Sequence, residues 1–187
     1  VTISSEGTYI ISGELSSGQI VVDASDDAKV QLVLAGATIH NENGPAIYAK
    51  NVDKCFVTLA DGTQNSFSDG TDYTLEDDSD EPYATLFCRC DLTINGTGAL
   101  NVTANYCHGI CSKDDLVVTG GTLNVTAVED CLRGRDCVKI ADGSFSLVSG
   151  GDGIKSNKDT EATQGFVSIT GATFSINAGD DAVQAKT

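Results

Sequence analysis

The stretch from Asp115 to Arg135 reads DLVVTGGTLNVTAVEDCLRGR, and a second copy from Cys137 to Asn157 reads CVKIADGSFSLVSGGDGIKSN. Each copy runs apolar-x-apolar, a glycine turn, apolar-x-apolar, a polar corner and one more apolar residue. Phe166–Lys186 follows the same pattern, as does Asp91–Lys113, and two weaker copies lie upstream. The chain is therefore built from repeats of about 22 residues, a period typical of solenoid proteins.

The alternation of apolar and polar residues inside each copy has a period of two, which indicates strands rather than helices. β-Branched residues dominate the apolar positions, as they do in strands. A coil of about 22 residues with three short strands and three corners is one turn of a parallel β-helix, in which equivalent residues stack about 4.8 Å apart. We therefore predict an all-β fold in which residues 1–187 form a single parallel β-helix of about eight turns.

The aligned copies also predict which side chains share the apolar core. The five inward columns are Leu92–Leu116–Val138–Val167, Ile94–Val118–Ile140–Ile169, Leu100–Leu123–Phe145–Phe174, Val102–Val125–Leu147–Ile176 and Ile110–Leu132–Ile154–Val183. An antiparallel sandwich is the alternative, but constant phasing at several columns is hard to reconcile with hairpins. Residues 1–29 are expected to form N-terminal strands or a cap. Residues 69–83 and 158–165 interrupt the repeat as polar loops inserted at corners.

Composition excludes several classes of function. The chain has 187 residues and a formal net charge of −16, with 11 Lys and Arg against 27 Asp and Glu. This acidity excludes a nucleic-acid footprint, and the lack of a long apolar run excludes a membrane span. Seven cysteines and three N-x-T sequons, at Asn95, Asn101 and Asn124, favour a secreted or cell-surface protein that carries disulfides and glycans.

The polar corner carries an acidic column. Asp130, Asp152 and Asp181 align on successive copies, and Glu129 and Asp180 flank them. Carboxylates stacked this closely repel one another unless they are protonated or neutralised. Hard oxygen ligands clustered in this way suit Ca²⁺, so these five residues form the predicted metal site. The alternative is that aspartates favour tight turns and cap the amides of the corner.

A basic column follows the acidic one. Arg133 aligns with Lys155, and Arg135 lies two residues further on, in line with Lys113 and Arg89. Calcium beside Lys or Arg suits an anionic sugar polymer, whose carboxylates bridge the metal and pair with the basic side chains. Arg133, Lys155 and Arg135 are therefore the predicted ligand-binding residues. The alternative is that these bases only offset the neighbouring aspartates.

The cysteines lack the paired C-x-x-C spacing of a zinc site, so disulfides are the favoured interpretation. Counting along the repeat places Cys55 over Cys90 one turn away, a distance that a disulfide can bridge. Cys107 and Cys131 lie two positions out of register on adjacent turns and form a weaker candidate pair. An odd number of cysteines leaves at least one unpaired within the chain.

Several phrases spread along the whole chain resemble a known family. They are GTYIISG at 7–13, VQLVL at 30–34, DLTING at 91–96 and GDGIKS at 151–156. This combination is similar to the carbohydrate-binding-domain-containing β-helix proteins of bacterial cell surfaces. The resemblance implies a right-handed β-helix related to pectate lyases, bound calcium, and affinity for plant-wall polymers such as polygalacturonate or cellulose. The chain departs from that pattern at several cysteines and at His108, which stands where other turns have aspartate.

Three functions are compatible with these observations. The leading prediction is a non-catalytic, calcium-binding module that binds an acidic polysaccharide. The second is a filament subunit that associates head to tail, because an uncapped final turn leaves open strand edges. The third is a calcium-dependent polysaccharide lyase, in which Lys155 beside Asp152 abstracts a proton next to a uronate carboxylate.

Overall fold

The computed structural model describes residues 1–75 and 77–186, so Glu76 and Thr187 lie outside it. Twenty strands and no helix occur in the described part of the chain, and none of it forms a helix that could span a membrane. The strands are β1 (Thr2–Ile3), β2 (Gly7–Leu15), β3 (Ile20–Asp23), β4 (Lys29–Asn41), β5 (Ile47–Asn51), β6 (Lys54–Leu59), β7 (Gln64–Asp69), β8 (Ala84–Cys88), β9 (Asp91–Gly96), β10 (Ala99–Ala104), β11 (His108–Ser112), β12 (Asp115–Val118), β13 (Thr122–Ala127), β14 (Leu132–Gly134), β15 (Cys137–Ile140), β16 (Ser144–Ser149), β17 (Ile154–Ser156), β18 (Phe166–Ile169), β19 (Thr173–Ala178) and β20 (Val183–Gln184).

The strands wind into a coil with three faces. One face is an eight-stranded sheet in the order β1-β3-β5-β8-β11-β14-β17-β20. The other two faces belong to a 12-stranded sheet, because β4 pairs with β6 through its first part and with β7 through its last part. The described strands pair in parallel and make about seven turns of roughly 25 residues. The predicted all-β parallel β-helix is therefore confirmed.

The interior of the coil is a continuous stack of apolar side chains. The register of the strands confirms the stacking of all five predicted columns, although Ile169 and Val183 are exposed at the last turn. Leu100 and Leu123 have no exposed surface, and the rings of Phe145 and Phe174 stack with their centroids 4.8 Å apart. Because no single turn can bury its own apolar face, the turns stabilise one another along the axis.

The turns are longer on average than the predicted period of about 22 residues. Leu123 pairs with Phe145, 22 positions later, but Phe145 pairs with Phe174, 29 positions later. The difference arises from segments outside the repeat: residues 157–165 join β17 to β18, and residues 70–83 join β7 to β8. The longer turns explain why the coil has fewer turns than the repeat arithmetic predicts.

The N-terminal segment is part of the same coil. Within residues 1–29, β1 pairs with β3 and β2 pairs with β4, both in parallel. The pairing of β2 with β4 shifts register between Ile11 and Gly13, where β4 has one extra residue between Leu34 and Ala37. Of the two alternatives for this segment, the structure therefore shows strands that continue the coil.

All seven cysteines are free thiols in the structure, so the predicted Cys55–Cys90 and Cys107–Cys131 bridges are absent from it. The register that suggested the first bridge is wrong by two residues, because Cys55 pairs with Leu92. The thiol that contacts both Cys55 and Cys90 is that of Cys88, and its burial raises its pKa well above the ordinary value.

Candidate functional site

An aspartate occupies the corner before three successive strands of the eight-stranded sheet. Asp130 precedes β14, Asp152 precedes β17 and Asp181 precedes β20. Oδ1 of Asp130 accepts the backbone N–H of Asp152 at 2.9 Å, and Oδ1 of Asp152 accepts that of Asp181 at 2.9 Å. The three aspartates therefore stack in one column, as their alignment predicts, and the first two cap the turn that follows.

The remaining carboxylate oxygens of this column contact basic side chains. Nζ of Lys155 donates to Oδ2 of Asp152 at 2.6 Å, and Nη1 of Arg133 donates to Oδ2 of Asp130 at 3.2 Å. Asp152 has no exposed surface and Asp130 is 2% exposed. Backbone amides and two cations thus offset the repulsion that the sequence suggests, so repulsion between Asp130 and Asp152 does not by itself require a bound ion.

A set of oxygens suited to a metal lies at the C-terminal end of the column. Asp152, Asp180 and Asp181 each place one carboxylate oxygen within 4.8 Å of the others, and Asp180 and Asp181 are exposed. Within the described residues, this group does not include Glu129 and Asp130, which the sequence also assigns to the metal site. Carboxylate oxygens supplemented by water fit a hard cation such as Ca²⁺. The donor set therefore fits calcium at Asp152, Asp180 and Asp181.

His108 occupies the position of the aspartates one turn earlier. Nε2 of His108 lies 2.8 Å from Nη1 of Arg133, and Nδ1 lies 3.4 Å from Oδ2 of Asp130. A guanidinium only donates hydrogen bonds, and the backbone N–H of Asp130 points at Nδ1 at 3.0 Å, so donors face both ring nitrogens and disfavour the doubly protonated ring. Burial, with Arg133 and Lys155 nearby, lowers the pKa of His108 to about 3. A neutral imidazole therefore replaces a carboxylate at this turn.

Several cations line one side of the eight-stranded sheet, and we call five of them the basic strip: Arg89, Lys113, Arg133, Arg135 and Lys155. Arg133 and Lys155 are neighbours in the outward register of β14 and β17. Arg89, Lys113 and Arg135 each follow a strand of the sheet directly, and the backbone N–H of Arg135 donates to the carbonyl of Ser112, just before Lys113. The structure thus brings together the basic residues that the sequence aligns.

The segment 70–83 lies against the N-terminal part of the basic strip, which the sequence did not predict. The ring of Tyr83 is 5.5 Å from Nζ of Lys113 and 5.9 Å from the guanidinium carbon of Arg133. Oε2 of Glu81 accepts a hydrogen bond from Nε of Arg89 at 2.9 Å, and Oε1 contacts Nζ of Lys113. No sequence signal identified this contact, because the segment falls outside the repeat and its register is undefined.

A second concave feature lies on another face of the coil. A groove of about 590 Å³ on the 12-stranded sheet is lined by seven residues. They are Glu6, Gly7, Thr8, Lys29, Gln31, Phe56 and Asn95. Side chains of Thr8 and Thr58 hold the Gln31 amide through hydrogen bonds of 3.0 and 2.9 Å. None of the predicted metal-binding or ligand-binding residues lines this groove. One of the three sequon residues, Asn95, does line it.

The three sequons all lie in strands. Asn95 is in β9, Asn101 in β10 and Asn124 in β13. The amide nitrogen of Asn124 donates to Oδ1 of Asn101 at 2.9 Å, and that of Asn101 donates to the carbonyl of Asn65 at 3.4 Å. Asn101 and Asn124 therefore form part of a ladder of side-chain amides between turns.

Comparisons with known proteins agree with this fold. The whole chain, residues 1–187, matches the family described as carbohydrate-binding domain-containing protein. A protein of Acetivibrio thermocellus with the same description is 40% identical over 184 residues, which are 98% of this chain and 64% of that protein. The chain therefore spans less than two thirds of that relative's length. The solved polysaccharide lyase-like protein from C. thermocellum, a gadolinium derivative, is 33% identical with a TM-score of 0.92, covering 98% of this chain and 83% of that one.

Proposed function

The chain belongs to the family of carbohydrate-binding domain-containing proteins, and we propose that it binds an acidic polysaccharide through the basic strip without cleaving it. The basic strip is the observation that carries this proposal. Its members make up five of the 11 Lys and Arg residues of a chain whose net charge is −16. Clustering of the few cations on one side of one sheet offers a polyanion several adjacent charged partners on an otherwise acidic molecule.

The geometry of the strip suits a linear polymer with regularly spaced carboxylates. Turns of the coil repeat about every 4.8 Å, so cations on successive turns form a row with a repeat comparable to the length of one sugar ring. Arg135 is exposed, and the contacts of Arg133 and Lys155 with the aspartate column hold their side chains in place. A guanidinium can bind a carboxylate through two parallel hydrogen bonds, which favours arginine in such a row.

Catalysis is the second candidate, because the solved relative is described as polysaccharide lyase-like. A lyase needs a base that accepts a proton from the sugar. Nζ of Lys155 already donates to Asp152, and Nη1 of Arg133 contacts Asp130 and His108. We therefore expect no unsaturated product when polygalacturonate is incubated with the protein and its ultraviolet absorbance is followed. Turnover that disappears in the Lys155→Gln variant would establish the lyase instead.

Titration calorimetry with polygalacturonate tests the binding proposal. Arg135→Gln should weaken binding by about threefold or more, because a charged contact is lost from the strip. Lys139→Gln is the matched control, since Lys139 is also partly exposed and pairs with Asp115, but it lies on β15 of the other sheet. Unchanged affinity in the Arg135→Gln variant, or equal weakening in both variants, would contradict the proposal.

We further propose that Ca²⁺ binds at Asp152, Asp180 and Asp181. The clustering of their oxygens supports this site, and the gadolinium in the solved relative is another hard cation that prefers oxygen ligands. Calcium should raise the melting temperature, because the unfolded chain lacks the cluster. The paired change Asp180→Asn and Asp181→Asn should remove that shift, whereas Asp61→Asn, at a corner on another side of the coil, should preserve it. A wild-type melting curve that calcium leaves unchanged would refute the metal site.

A further inference from the structure

A carboxylate of the chain itself already occupies part of the basic strip. The two oxygens of Glu81 contact different cations: Oε2 accepts from Nε of Arg89 at 2.9 Å, and Oε1 contacts Nζ of Lys113. The Glu81 side chain is only 15% exposed, although Arg89 and Lys113 remain 38% and 30% exposed. Burial acts to lower the pKa of Lys113, but its contacts with Glu81 and Tyr83 outweigh that effect and raise it.

We propose that Arg89, Lys113 and Tyr83 form a carboxylate-binding subsite that Glu81 fills in the resting protein and that an acidic polysaccharide fills after displacing Glu81. This inference rests on the proposed function and deepens it, because it assigns both the chemical class recognised, a carboxylate, and the residue that limits access. Glu81 acts as an internal competitor for the same two cations.

The places of Arg89, Lys113 and Glu81 relative to the repeat support this assignment. Arg89 and Lys113 belong to the regular turns, one residue after β8 and β11, at the positions that Arg135 occupies after β14. Glu81 belongs to the inserted segment 70–83 and has no counterpart in the repeat. The repeat therefore places Arg89, Lys113 and Arg135 in one row, and the insertion supplies a carboxylate that pairs with Arg89 and Lys113.

The contacts of the inserted segment allow Glu81 to leave without unfolding the coil. The start of the segment is fixed to the coil by Tyr73, whose hydroxyl donates to Asp69 at 2.6 Å and whose ring stacks on Tyr106 at 4.1 Å. In contrast, both side-chain contacts of Glu81 are ion pairs, and their partners Arg89 and Lys113 are 38% and 30% exposed, so another carboxylate can reach the same cations from solvent. A polymer that presents several carboxylates at once can therefore exchange with a single carboxylate of the chain.

Glu81→Gln should increase the affinity for polygalacturonate, because it frees two cations while keeping the shape of the side chain. We expect a gain of about threefold to tenfold in titration calorimetry, together with a steeper loss of affinity as salt is added. Asp80→Asn is the matched control: it removes the same charge from the same segment, and among the described residues Asp80 has no contact with Arg89 or Lys113. Its affinity should equal that of the wild type.

A double-mutant cycle with Lys113→Gln completes the test. In the wild type, Lys113→Gln should change affinity little, because Glu81 already binds Lys113, whereas in the Glu81→Gln background it should remove most of the gain. If the wild type binds polygalacturonate and the Glu81→Gln variant binds it no more tightly, the subsite is refuted but the proposed function is not. Binding by the Glu81→Gln variant but not by the wild type would support the subsite and contradict the proposed function of the resting protein. If neither binds, both fail; melting curves verify that each variant is folded.

Discussion

Asp152 has no exposed surface, and its two carboxylate oxygens have partners of different kinds, the backbone N–H of Asp181 and the ammonium of Lys155. The first contact caps a corner, and the second neutralises a buried charge. The sequence predicts the stacking of the aspartates from the repeat alone. It offers neutralisation by Lys155 only as an alternative, because a bound cation, a capped turn and an offsetting base all fit the same pattern.

Lys155→Gln should therefore destabilise the fold. A buried carboxylate that loses its cation keeps one hydrogen bond but no compensating charge, and we expect a loss of about 2 kcal/mol in the free energy of unfolding. Asp152→Asn in the same chain should restore much of that loss, since an amide carbonyl can still accept the N–H of Asp181. Urea unfolding of the two single variants and the double variant measures the coupling; strictly additive effects would show that the pair does not interact.

His108 should make stability depend on pH. Its folded-state pKa of about 3 lies below the ordinary 6.5, because of burial and the nearby Arg133 and Lys155. Below about pH 6.5 the unfolded chain takes up a proton that the folded chain excludes, so stability is complete above that pH and falls as the pH drops toward 3. The slope is at most about 1.4 kcal/mol per pH unit for one histidine.

Urea unfolding between pH 7 and pH 5 isolates this contribution, because most carboxylates titrate at lower pH. The free energy of unfolding should decrease over this range in the wild type, and it should decrease less in His108→Gln, which cannot take up the proton. Identical pH profiles for the two proteins would mean that His108 is not held in the neutral form.

At the scale of elements, the corners decide how closely successive turns approach. Gly109, Cys131, Gly153 and Ala182 each follow the corner residue of their turn, and the backbone N–H of Gly153 donates to the carbonyl of Asp181 at 2.9 Å. A Cβ on Gly153 would lie 2.6 Å from the carbonyl oxygen of Ala182 and 2.6 Å from Cγ2 of Ile176. Glycine is needed here because the next turn packs directly against the backbone.

Gly153→Ala should accordingly destabilise the protein by about 1–3 kcal/mol, the usual cost of overfilling a packed site. The reverse change one turn later, Ala182→Gly, should cost no more than about 1 kcal/mol, because it removes a methyl group without creating a clash. Thermal unfolding of both variants tests this asymmetry. A Gly153→Ala variant as stable as the wild type would show that the turns have room to move apart.

The sequence predicts strand register only where no insertion interrupts the repeat. The five core columns lie where the repeat is strict, so counting positions is equivalent to stacking side chains. Cys55 in β6 and Cys90 just before β9 lie on either side of the inserted segment 70–83, and β6 pairs with β9 at a separation of 37 residues, as between Cys55 and Leu92. An insertion adds an unknown length to the turn, so the period carries no register information across it. The contact of Glu81 with the strip was unpredictable for the same reason.

At the scale of the whole molecule, charge is distributed unevenly around a uniform coil. The repeat produces three similar faces, yet the eight-stranded sheet alone carries the basic strip beside the aspartate column, in a chain with a net charge of −16. The chain belongs to the family of carbohydrate-binding domain-containing proteins and folds as a β-solenoid. Under the proposed function, the position of the cations predicts that the eight-stranded sheet is the face that binds an anionic polymer.

A crystal structure of the protein with tetragalacturonate tests this central claim most directly. We predict that the oligosaccharide lies along the eight-stranded sheet, with carboxylates within hydrogen-bonding distance of Arg135 and Lys155. Where the oligosaccharide extends to Arg89 and Lys113, we predict that Glu81 no longer contacts these two cations. An oligosaccharide found instead in the groove beside Phe56, or one that contacts none of the five cations, would contradict it.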